Sequence, residues 1–419
     1  MQIKVLKGMK DILPGKSDVW QNIEERMRSL AAVYGYSEIR TPVLEKTELF
    51  TRGVGDTTDI VQKEMYTFKD KGDRSVTLKP EGTAGAVRAF LEANLYAETL
   101  PCKMYYINAP LFRYEAPQSG RLREHHQFGM ECFGSPNASS DAELISFAYE
   151  LLKSFGLKNL KVQLNSIGCP KCRPNYTAKL KEFLQDKKER LCNDCKNRME
   201  TNPLRVLDCK VETCQQAIVD APRSIDCFCD ECSEHFAALC AYLDAAQIPY
   251  AVNSKIVRGL DYYTKTVFEF VQETETGVLT VCGGGRYDNL IEQLGGPKTP
   301  AVGFGLGIER LIMLMEESQE RRKAAPDVYI ANITKEDLAL SYQLLLSLRR
   351  NGIKSEMDHS GRSLKAQFKF ANKVDAKYIL LVGGEELQNG KLKIRNLETK
   401  EETEFPFENA IEHIESLVK

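Results

Sequence analysis

The sequence predicts an α+β protein with a mostly antiparallel sheet, an inserted cysteine-rich small domain and a C-terminal α/β domain. Strand-like runs recur before residue 168 and after residue 246, and nine of the thirteen cysteines lie between Cys169 and Cys232. Strands and helices alternate after Pro326, which is typical of a separate α/β unit. We therefore expect one domain at 1–325, interrupted by the insertion at 168–246, and a second at 326–419.

Apolar spacing and turn residues set the elements of the first domain. Ser17 is expected to cap a helix that runs towards Ala32, because serine accepts hydrogen bonds from free backbone N–H groups at a helix start. Further helices are expected from Glu81 to about Leu95, over Ser140–Phe155 and from Ile308. The strand-like runs are Met65–Phe68, Ser75–Leu78, Lys103–Arg113, Gln127–Gly134, Lys161–Leu164, Thr266–Gln272, Gly277–Cys282 and Ala301–Gly305.

A polar link at 319–326 leads into the second domain. Strands are expected at Val328–Ala331, Lys354–Met357, Tyr378–Val382 and Lys391–Arg395, and helices at Asp337–Arg349, Ser363–Asn372 and from Glu408. Three lysines recur every fourth residue along the second of these helices, namely Lys365, Lys369 and Lys373. Such a stripe is either a solvated face or a rail for nucleic-acid phosphates.

The composition indicates an ordinary globular protein and excludes several classes. Apolar residues make up 42% and charged residues 28% of the 419 residues, which is unlike a disordered chain. The net charge of −2 provides no overall positive field, so any nucleic-acid contact must come from local basic patches. There is no long apolar run and no charged-then-apolar leader, so we expect no membrane contact and a cytoplasmic location.

The most informative segment is Phe112–Glu131, where two strand-like runs flank a polar loop. Arg113 stands at the end of the first run, and Gln127 and Glu131 stand on the second. Arginine offers a planar set of donors that matches a phosphate, and it stays charged at any working pH. This hairpin is therefore predicted to hold a nucleotide phosphate on one strand and a polar small molecule on the other.

Two strand–helix junctions suit the same kind of site, each with a structural alternative. Arg310 stands one turn into a helix after the glycines of Gly303–Gly307, where it can reach a triphosphate or pack at the surface. The glycines there let a ligand approach the backbone. Glu81 and Thr83 can bind an ammonium group, or they can cap their own helix without any ligand.

Two further segments combine glycine with arginine and tyrosine. Arg258 precedes a glycine and lies near Tyr262 and Tyr263, which supply phenolic donors and acceptors but are more often packing residues. The three glycines of Gly283–Asp288 either let the backbone lie along a planar ligand or form a wide turn. The sequence leaves both alternatives open.

The cysteine-rich insertion contains two C-x2-C motifs. Cys169–Cys172 and Cys192–Cys195 are separated by nineteen residues, a spacing found in zinc sites. Four thiolates would give a closed tetrahedral site and hence a structural metal. Free buried thiols are the alternative. A second cluster could form from the remaining cysteines, Cys209, Cys214, Cys227, Cys229 and Cys232.

Taken together, these segments resemble the bacterial histidyl-tRNA synthetases, a family of class II aminoacyl-tRNA synthetases. The resemblance covers the whole chain and includes an anticodon-binding-like last domain. Arg40–Glu45, Phe112–Gly134 and Gly303–Leu311 are similar to class motifs 1, 2 and 3. Arg258–Tyr263 and Gly283–Asp288 resemble the two segments that are specific to the histidine enzyme.

The resemblance implies roles for individual residues. Arg113 corresponds to the arginine that binds the ATP α-phosphate, and Arg310 to the one that holds the γ-phosphate. Arg258 corresponds to the arginine that contacts the histidine carboxylate and the α-phosphate, so Arg113 and Arg258 are the expected catalytic residues. Gln118 and Arg123 match positions that face the tRNA acceptor end. The residues expected to bind L-histidine are Glu81, Gly82, Thr83, Arg113, Gln127, Glu131, Arg258, Tyr262 and Tyr263.

Within the histidine set, the resemblance separates two tasks. Glu81, Thr83 and Gln127 surround the amino group, whereas Glu131 and Tyr263 read the imidazole ring. The implied activity is ligation of histidine to tRNA(His) through a histidyl-adenylate, with ATP as substrate and Mg²⁺ as cofactor. The implied assembly is a homodimer that packs near Pro42.

Some positions depart from the family pattern, and three rival functions remain. Lys79, Ala116 and His125 stand where other residues are common, and the cysteine-rich insertion occurs in only part of the family, so the resemblance implies no metal. The rivals are a non-catalytic histidine sensor of the same fold, a class II synthetase for another amino acid, and a zinc-containing nucleic-acid-binding module. The sensor typically lacks the last domain and parts of the signature segments, both of which are present here.

Overall fold

The computed structural model describes residues 2–55, 58–118, 120–274, 277–315 and 325–418. The chain forms two compact units, Met1–Ile12 with Trp20–Gln319 and Leu13–Val19 with Glu320–Lys419. Residues 319–324 of the predicted polar link lie outside the described residues. The predicted domain bounds at 325 and 326 therefore stay a prediction.

The larger unit is built on an eight-stranded sheet whose strands come from both sides of the cysteine-rich segment. The inner strand pairs are antiparallel, and the two edge pairs, Ser37–Glu38 with Cys102–Phe112 and Lys161–Ser166 with Tyr250–Val252, are parallel. The predicted mostly antiparallel sheet is thus confirmed. In spatial order the strands are β1 (Ser37–Glu38), β5 (Cys102–Phe112), β6 (Glu124–Phe133), β11 (Ala301–Gly307), β10 (Gly277–Arg286), β9 (Thr264–Thr274), β7 (Lys161–Ser166) and β8 (Tyr250–Val252).

A small second sheet and six helices complete this part of the unit. The sheet contains β2 (Leu44–Lys46), β4 (Ser75–Leu78) and β3 (Tyr66–Lys69), all antiparallel. The first helix begins at Ser17 itself, which was predicted to be its cap, and buries Ile23, Met27 and Ala31, which recur every fourth residue on one face. The helices are α1 (Ser17–Val33), α2 (Thr47–Val54), α3 (Thr83–Glu92), α4 (Ala138–Ser154), α9 (Leu290–Gln293) and α10 (Ile308–Met315).

The cysteine-rich segment is helical throughout its described secondary structure. Its apolar side chains share one core with the main sheet, because Tyr176 and Leu180 belong to the same buried cluster as Tyr262 and Tyr263. The helices here are α5 (Arg173–Asp186), α6 (Asn193–Thr201), α7 (Glu212–Ala217) and α8 (Asp230–Ala245). The segment therefore packs directly against one of the predicted site segments.

The segment Gly283–Asp288 has a structural role at its end. Arg286 is completely buried, and its guanidinium forms an ion pair with the carboxylate of Asp141 in α4. It also donates to the backbone oxygens of Ser135 and Asn137, at 2.8 and 3.1 Å. This arginine ties β10 to α4 and does not line a ligand site.

The smaller unit has a five-stranded sheet with helices on both faces. Its order is β13 (Ser355–Met357), β12 (Val328–Asn332), β14 (Tyr378–Val382), β15 (Lys391–Asn396) and β16 (Glu402–Pro406). The pairs of β12 are parallel and the other two are antiparallel. One buried apolar cluster includes side chains of the helices Leu338–Arg350 and Ala410–Val418, and the other includes Ala371 of the helix Leu364–Lys373. The helices are α11 (Leu338–Arg350), α12 (Leu364–Lys373), α13 (Gly384–Gln388) and α14 (Ala410–Val418).

Candidate active site

The centre of the main sheet presents a row of glycines on one face. In the strand registers, Gly129 of β6 pairs with Gly305 of β11, and Gly305 pairs with Gly283 of β10. The row ends at Tyr106 of β5 on one side and Glu269 of β9 on the other. Three adjacent strands therefore carry no side chain in this row, which leaves the backbone of the sheet uncovered by the row itself between Tyr106 and Glu269.

Four side chains, three of them from predicted site residues, fill the space above these glycines and the nearby Gly303. The side chains that an added Cβ would overlap are Tyr106 at Gly129, Glu131 at Gly303, Gln127 at Gly305 and Arg258 at Gly283. We predicted that the glycines admit a ligand to the backbone. The structure corrects that interpretation, because the glycines instead admit the site's own side chains, which a ligand on this face would meet first.

Glu131 is a fully buried carboxyl surrounded by hydroxyl groups. Thr83 Oγ1 and Tyr106 Oη donate to its Oε1 at 2.8 and 3.3 Å, and Tyr287 Oη hydrogen-bonds to its Oε2. Burial raises the pKa of Glu131 to about 8, although the hydroxyl groups of Tyr287 and Thr83 act in the opposite direction. The group is thus poised to change its protonation state near neutral pH.

Glu81 and Arg113 are held at the start of α3. The Glu81 carboxylate accepts hydrogen bonds from the backbone N–H groups of Thr83 and Ala84, at 2.9 and 2.6 Å, so Glu81 does cap the helix. Burial nevertheless raises the pKa of Glu81. Arg113 Nε donates to the Pro80 oxygen at 2.9 Å, which brings the guanidinium next to this buried carboxylate.

Arg258 and Arg310 are connected through one residue of the sheet. Arg258 forms an ion pair with Glu269, and Thr280 Oγ1 donates to the same carboxylate at 3.1 Å. Arg310 Nη1 donates to the Thr280 oxygen at 2.6 Å, and its Nε donates to the Gly120 oxygen at 3.0 Å. Arg258 and Arg310 are 52 positions apart in the sequence, and in the fold both contact strand β10, at Gly283 and Thr280 respectively.

Arg113 lies in the same electrostatic neighbourhood as Arg310. Burial and then the charges of Arg113 and Arg310 lower the pKa of His125 to about 3, so the imidazole between them stays neutral. Burial also lowers the pKa of Arg310, and the like charge of Arg121 adds to this. The three arginines are thus linked in the structure, Arg258 to Arg310 through Glu269 and Thr280, and Arg310 to Arg113 through the surroundings of His125.

The paired tyrosines form a buried aromatic group with Tyr287. The ring centroids of Tyr262 and Tyr263 lie 4.7 Å apart, and those of Tyr262 and Tyr287 lie 5.4 Å apart. Burial raises the pKa of Tyr263, whereas the adjacent Arg258 guanidinium lowers it. Tyr263 thus faces Arg258, while Tyr262 supports the ring of Tyr287.

The two residues predicted to face the tRNA acceptor end lie in the loop between β5 and β6. Gln118 is exposed and pairs with Arg121 across the loop. The Arg123 guanidinium lies over the Tyr114 ring, 4.0 Å from its centroid, and Nε donates to the Glu115 oxygen at 3.1 Å. Arg123 is therefore oriented by its own loop.

The cysteine pairing that we predicted from sequence spacing is wrong. The two C-x2-C motifs do not share a site, because each lies with a different pair of later cysteines. Among the described residues, the groups are Cys169, Cys172, Cys229 and Cys232, and Cys192, Cys195, Cys209 and Cys214. Spacing along the chain identifies C-x2-C units but does not reveal which distant pair completes each one.

The sequence analysis missed three residues of this site. Tyr106 and Tyr287 both contact the Glu131 carboxyl, and Glu269 pairs with Arg258. Tyr287 lies inside Gly283–Asp288, but the prediction for that segment depended on its three glycines. Glu269 is the only charged residue of the predicted strand Thr266–Gln272, and a lone charge in an apolar strand was the available signal.

The antiparallel sheet, the arginine of its central hairpin and the arginine at the β11–α10 junction define a class II aminoacyl-tRNA synthetase. The sequence model of the family described as Histidyl-tRNA synthetase matches residues 8–311, and that of the Anticodon binding domain matches residues 327–417. The chain belongs to the histidyl-tRNA synthetase family.

Similar proteins cover the full chain. The chain is 54% identical to a histidine–tRNA ligase of Caldanaerobacter subterraneus subsp. tengcongensis over 100% of both sequences. It is 51% identical to one of Clostridium botulinum, over 100% of this chain and 99% of the relative. The crystal structure of apo Staphylococcus aureus histidyl-tRNA synthetase is similar over 99% of this chain and 100% of that one, with 37% identity and a TM-score of 0.84.

Proposed function

We propose that the pocket around Glu131, Glu81 and Arg258 is the site at which this histidine–tRNA ligase binds histidine before charging tRNA(His) with it, using ATP. One observation carries the assignment. A buried carboxyl bonded to three hydroxyl groups lies on the same sheet face as an arginine whose buried Nε, among the described residues, lacks a hydrogen-bond partner. Buried polar groups without partners are rare, so this N–H is available to a substrate carboxylate.

The proposed recognition of the imidazole uses its one donor and one acceptor. Glu131 accepts a hydrogen bond from the ring N–H, and the Tyr263 hydroxyl serves the other nitrogen. Glu81, Thr83 and Gln127 surround the ammonium group. A site that hydrogen-bonds a substrate in this way rejects analogues lacking those groups by about 10⁴–10⁵.

Adenylate formation then needs positioning and charge neutralisation. A histidine carboxylate oxygen attacks the α-phosphorus of ATP, a P–O bond forms, and the bond to the departing pyrophosphate breaks with its electron pair. Negative charge builds up on the α-phosphate oxygens. Arg113 and Arg258 stabilise that charge, and Arg310 holds the γ-phosphate. No protein nucleophile takes part.

The second step is proposed to use the loop that contains Gln118 and Arg123. A terminal ribose hydroxyl of the tRNA attacks the carbonyl carbon of the adenylate and forms the ester C–O bond. AMP leaves with the electron pair of the broken C–O bond, and its phosphate takes up the hydroxyl proton. Gln118 contacts the acceptor end, because its side chain is exposed at the loop. The domain matched by the anticodon-binding model is proposed to hold the other end of the tRNA.

Mg²⁺ is proposed to bind mainly through the phosphates of ATP. Among the described residues, the only groups of three or more potential metal ligands are the two cysteine groups, so the protein offers no carboxylate cage. Mg²⁺ commonly binds substrate phosphates together with only one or two carboxylates. It would screen the charge of the outer phosphates, next to Arg310. A structural zinc in the cysteine-rich segment also stays a prediction.

A homodimer and a cytoplasmic location complete the proposal. Pro42, Val43 and Leu44 are exposed at the edge strand β2, and an apolar edge of this kind is suited to a protein contact. Among the described residues, no helix is long and apolar enough to cross a membrane. Light scattering of the purified chain and of Leu44→Glu tests the dimer, and cell fractionation tests the location.

Histidine-dependent exchange of pyrophosphate into ATP tests the proposed function. We expect exchange with histidine and none with other amino acids. A sensor or a nucleic-acid-binding module would show no exchange, and a synthetase for another amino acid would exchange with that one. Absence of histidine-dependent exchange would overturn the assignment of the pocket.

A further inference from the structure

Two separate groups of four thiols lie in the segment 168–246. In each group all four sulfur atoms lie within 4.8 Å of one another. We call Cys169, Cys172, Cys229 and Cys232 the first cluster, and Cys192, Cys195, Cys209 and Cys214 the second cluster. Cys227 belongs to neither, although it lies between them in the sequence.

The distances between sulfur atoms match the edges of a tetrahedron around one metal ion. Four thiolates about 2.3 Å from Zn²⁺ at tetrahedral corners lie about 3.8 Å from each other. A disulfide would bring two sulfurs to about 2.05 Å. The observed distances are 3.8 Å for Cys169–Cys172, 3.7 Å for Cys169–Cys229, 3.7 Å for Cys172–Cys232 and 3.9 Å for Cys192–Cys209.

We infer that each cluster binds one Zn²⁺, and that the two ions brace opposite ends of the segment Arg258–Lys265. Soft thiolate sets of four select zinc or iron–sulfur centres. The spacing of about 3.8 Å suits a single ion, since a cluster of several irons holds its thiolates farther apart. The inference about the ions is independent of the proposed function, whereas its effect on histidine binding rests on it.

The first cluster is connected to the end of the segment. Arg173 directly follows Cys172, and its Nη2 donates to the Tyr263 oxygen at 2.6 Å. Glu231 lies between two ligands of the cluster, and its carboxylate accepts a hydrogen bond from Lys265 Nζ at 2.8 Å. A metal that holds the chain at Cys172 and at Cys232 therefore also holds the Tyr263 backbone, through Arg173, and the Lys265 side chain, through Glu231.

The second cluster is connected to the beginning of the segment. Its helix α6 leads to Asn202, whose Nδ2 donates to Asp261 Oδ1 at 2.7 Å. Arg205 Nη1 donates to the Arg258 oxygen at 3.1 Å. Both Asn202 and Arg205 lie in the stretch of chain that the cluster closes into a loop. Arg173 and Arg205 are thus positioning residues, which act on histidine through Arg258 and Tyr263.

Metal content tests the first part of the inference. The full chain, purified without chelators, is analysed for zinc, iron and free thiols, and Co²⁺ replacement is followed by its thiolate charge-transfer absorption. We expect two zinc ions per chain, one in Cys229→Ser, one in Cys214→Ser, and two in the control Cys227→Ser. Fewer than two zinc ions in the wild type, iron with sulfide, or disulfides would overturn the inference, whether or not the variants fold.

Steady-state pyrophosphate exchange tests the second part. Arg205→Met is expected to retain both zinc ions and to raise KM for histidine about tenfold, the scale of a lost hydrogen bond to a buried group, while KM for ATP changes less than twofold. Arg205→Lys should recover part of the loss. The control is Arg223→Met, an exposed arginine of the same segment that pairs with Asp226. Two zinc ions with an unchanged KM for histidine in Arg205→Met would overturn the bracing role alone.

Discussion

Arg258 and Glu269 form an ion pair directly over the glycine row, because Glu269 is the strand partner of Gly283 and Arg258 occupies the space that Gly283 leaves empty. Glu269 and Tyr263 hold the pKa of Arg258 above its ordinary range, against the effect of burial. The pair keeps the guanidinium charged and aimed before any substrate arrives. Its buried Nε, which has no hydrogen-bond partner among the described residues, is then available to a substrate anion.

Arg258→Ala is expected to lower the rate of histidine-dependent pyrophosphate exchange by roughly 10²–10³, the scale for one preorganised donor to a developing anion. Histidine binding should fall less, because the charge develops only in the transition state. Exchange at saturating histidine measures the effect. The matched control is Arg74→Ala, an exposed arginine of the β3–β4 turn that pairs with Asp70. An unchanged rate in Arg258→Ala would remove this residue from the proposed site.

Glu131→Gln is expected to change stability in a pH-dependent way. The folded-state pKa is raised to about 8, so above pH 5 the folded state holds a proton that the unfolded state releases, and wild-type stability falls as pH rises towards 8. The glutamine removes that loss, so the variant gains relative to the wild type by on the order of a few kcal/mol between pH 5.5 and 8.5. Urea unfolding at both pH values measures it.

The same variant separates the two roles of Glu131. It should raise KM for histidine while leaving KM for ATP nearly unchanged, because the residue is proposed to read the ring. If KM for histidine stayed at the wild-type value, Glu131 would be a structural carboxyl only. If the stability difference were the same at both pH values, the carboxyl would be ionised in the folded protein at neutral pH.

Gly303→Ala is expected to impair histidine binding by forcing the Glu131 carboxyl and the neighbouring strand out of place, since the new methyl group would overlap Oε2 and come within 2.6 Å of the Met130 backbone oxygen. Overpacking of this kind typically costs about 1–3 kcal/mol of stability. Exchange kinetics and thermal unfolding report the two effects. Gly53→Ala is the control, because an added Cβ there meets Leu290 at an ordinary 3.4 Å inside helix α2. Wild-type kinetics in Gly303→Ala would mean that Glu131 has room to move.

Asp141→Asn is expected to destabilise the larger unit by up to roughly 3–5 kcal/mol, because it removes the fully buried one of the two carboxylates that pair with Arg286 and leaves only Asp288. Burial raises the pKa of Asp141, but the charge of Arg286 outweighs it and lowers that pKa to about 2. The contribution of the pair is therefore present above pH 4 and is lost as pH falls towards 2. Denaturant unfolding at pH 7 and pH 3 measures both. Equal stability of the variant and the wild type at pH 7 would contradict this role.

Lys369→Glu is expected to reduce tRNA charging while leaving histidine-dependent pyrophosphate exchange unchanged. Lys365, Lys369 and Lys373 are all exposed on α12, and each lysine removed from a phosphate contact weakens binding and its salt dependence. Aminoacylation at low and high salt measures the effect. Lys335→Glu, on an exposed loop of the same unit, is the charge-matched control. Normal charging by Lys369→Glu would identify this face as solvated surface.

Local signals in the sequence predict much of the fold. The glycines and apolar residues around Ile308 predicted where β11 ends and α10 begins, and the structure places the helix start at that residue. The strand β16 was missed because Glu402–Pro406 is acidic and has one buried residue, Phe405, as is common for an edge strand. Periodicity detects burial, and this strand buries little.

The residues of the candidate site likewise fall into those that local sequence signals reveal and those that they do not. Arginines beside glycines were recognised because glycine and arginine stand out locally. Glu269, the partner of Arg258, was not recognised, nor were Tyr106 and Tyr287, the partners of Glu131. Each of the three lies in an ordinary-looking stretch of sequence and gains its role only through contacts that the fold creates. The predicted grouping of the cysteines was wrong for a related reason. Cys169 and Cys229 are sixty residues apart, and the sequence between them does not show that they share a site.

The pairing of large side chains with glycines on neighbouring strands has a consequence for engineering. Each of these polar side chains occupies the space beside a glycine of the neighbouring strand. Enlarging the side chain or replacing the glycine therefore disturbs both residues of the pair. Variants designed to accept a different amino acid would have to alter Glu131 together with Gly303, or Gln127 together with Gly305. Single substitutions in a mutant library would sample such coupled solutions poorly.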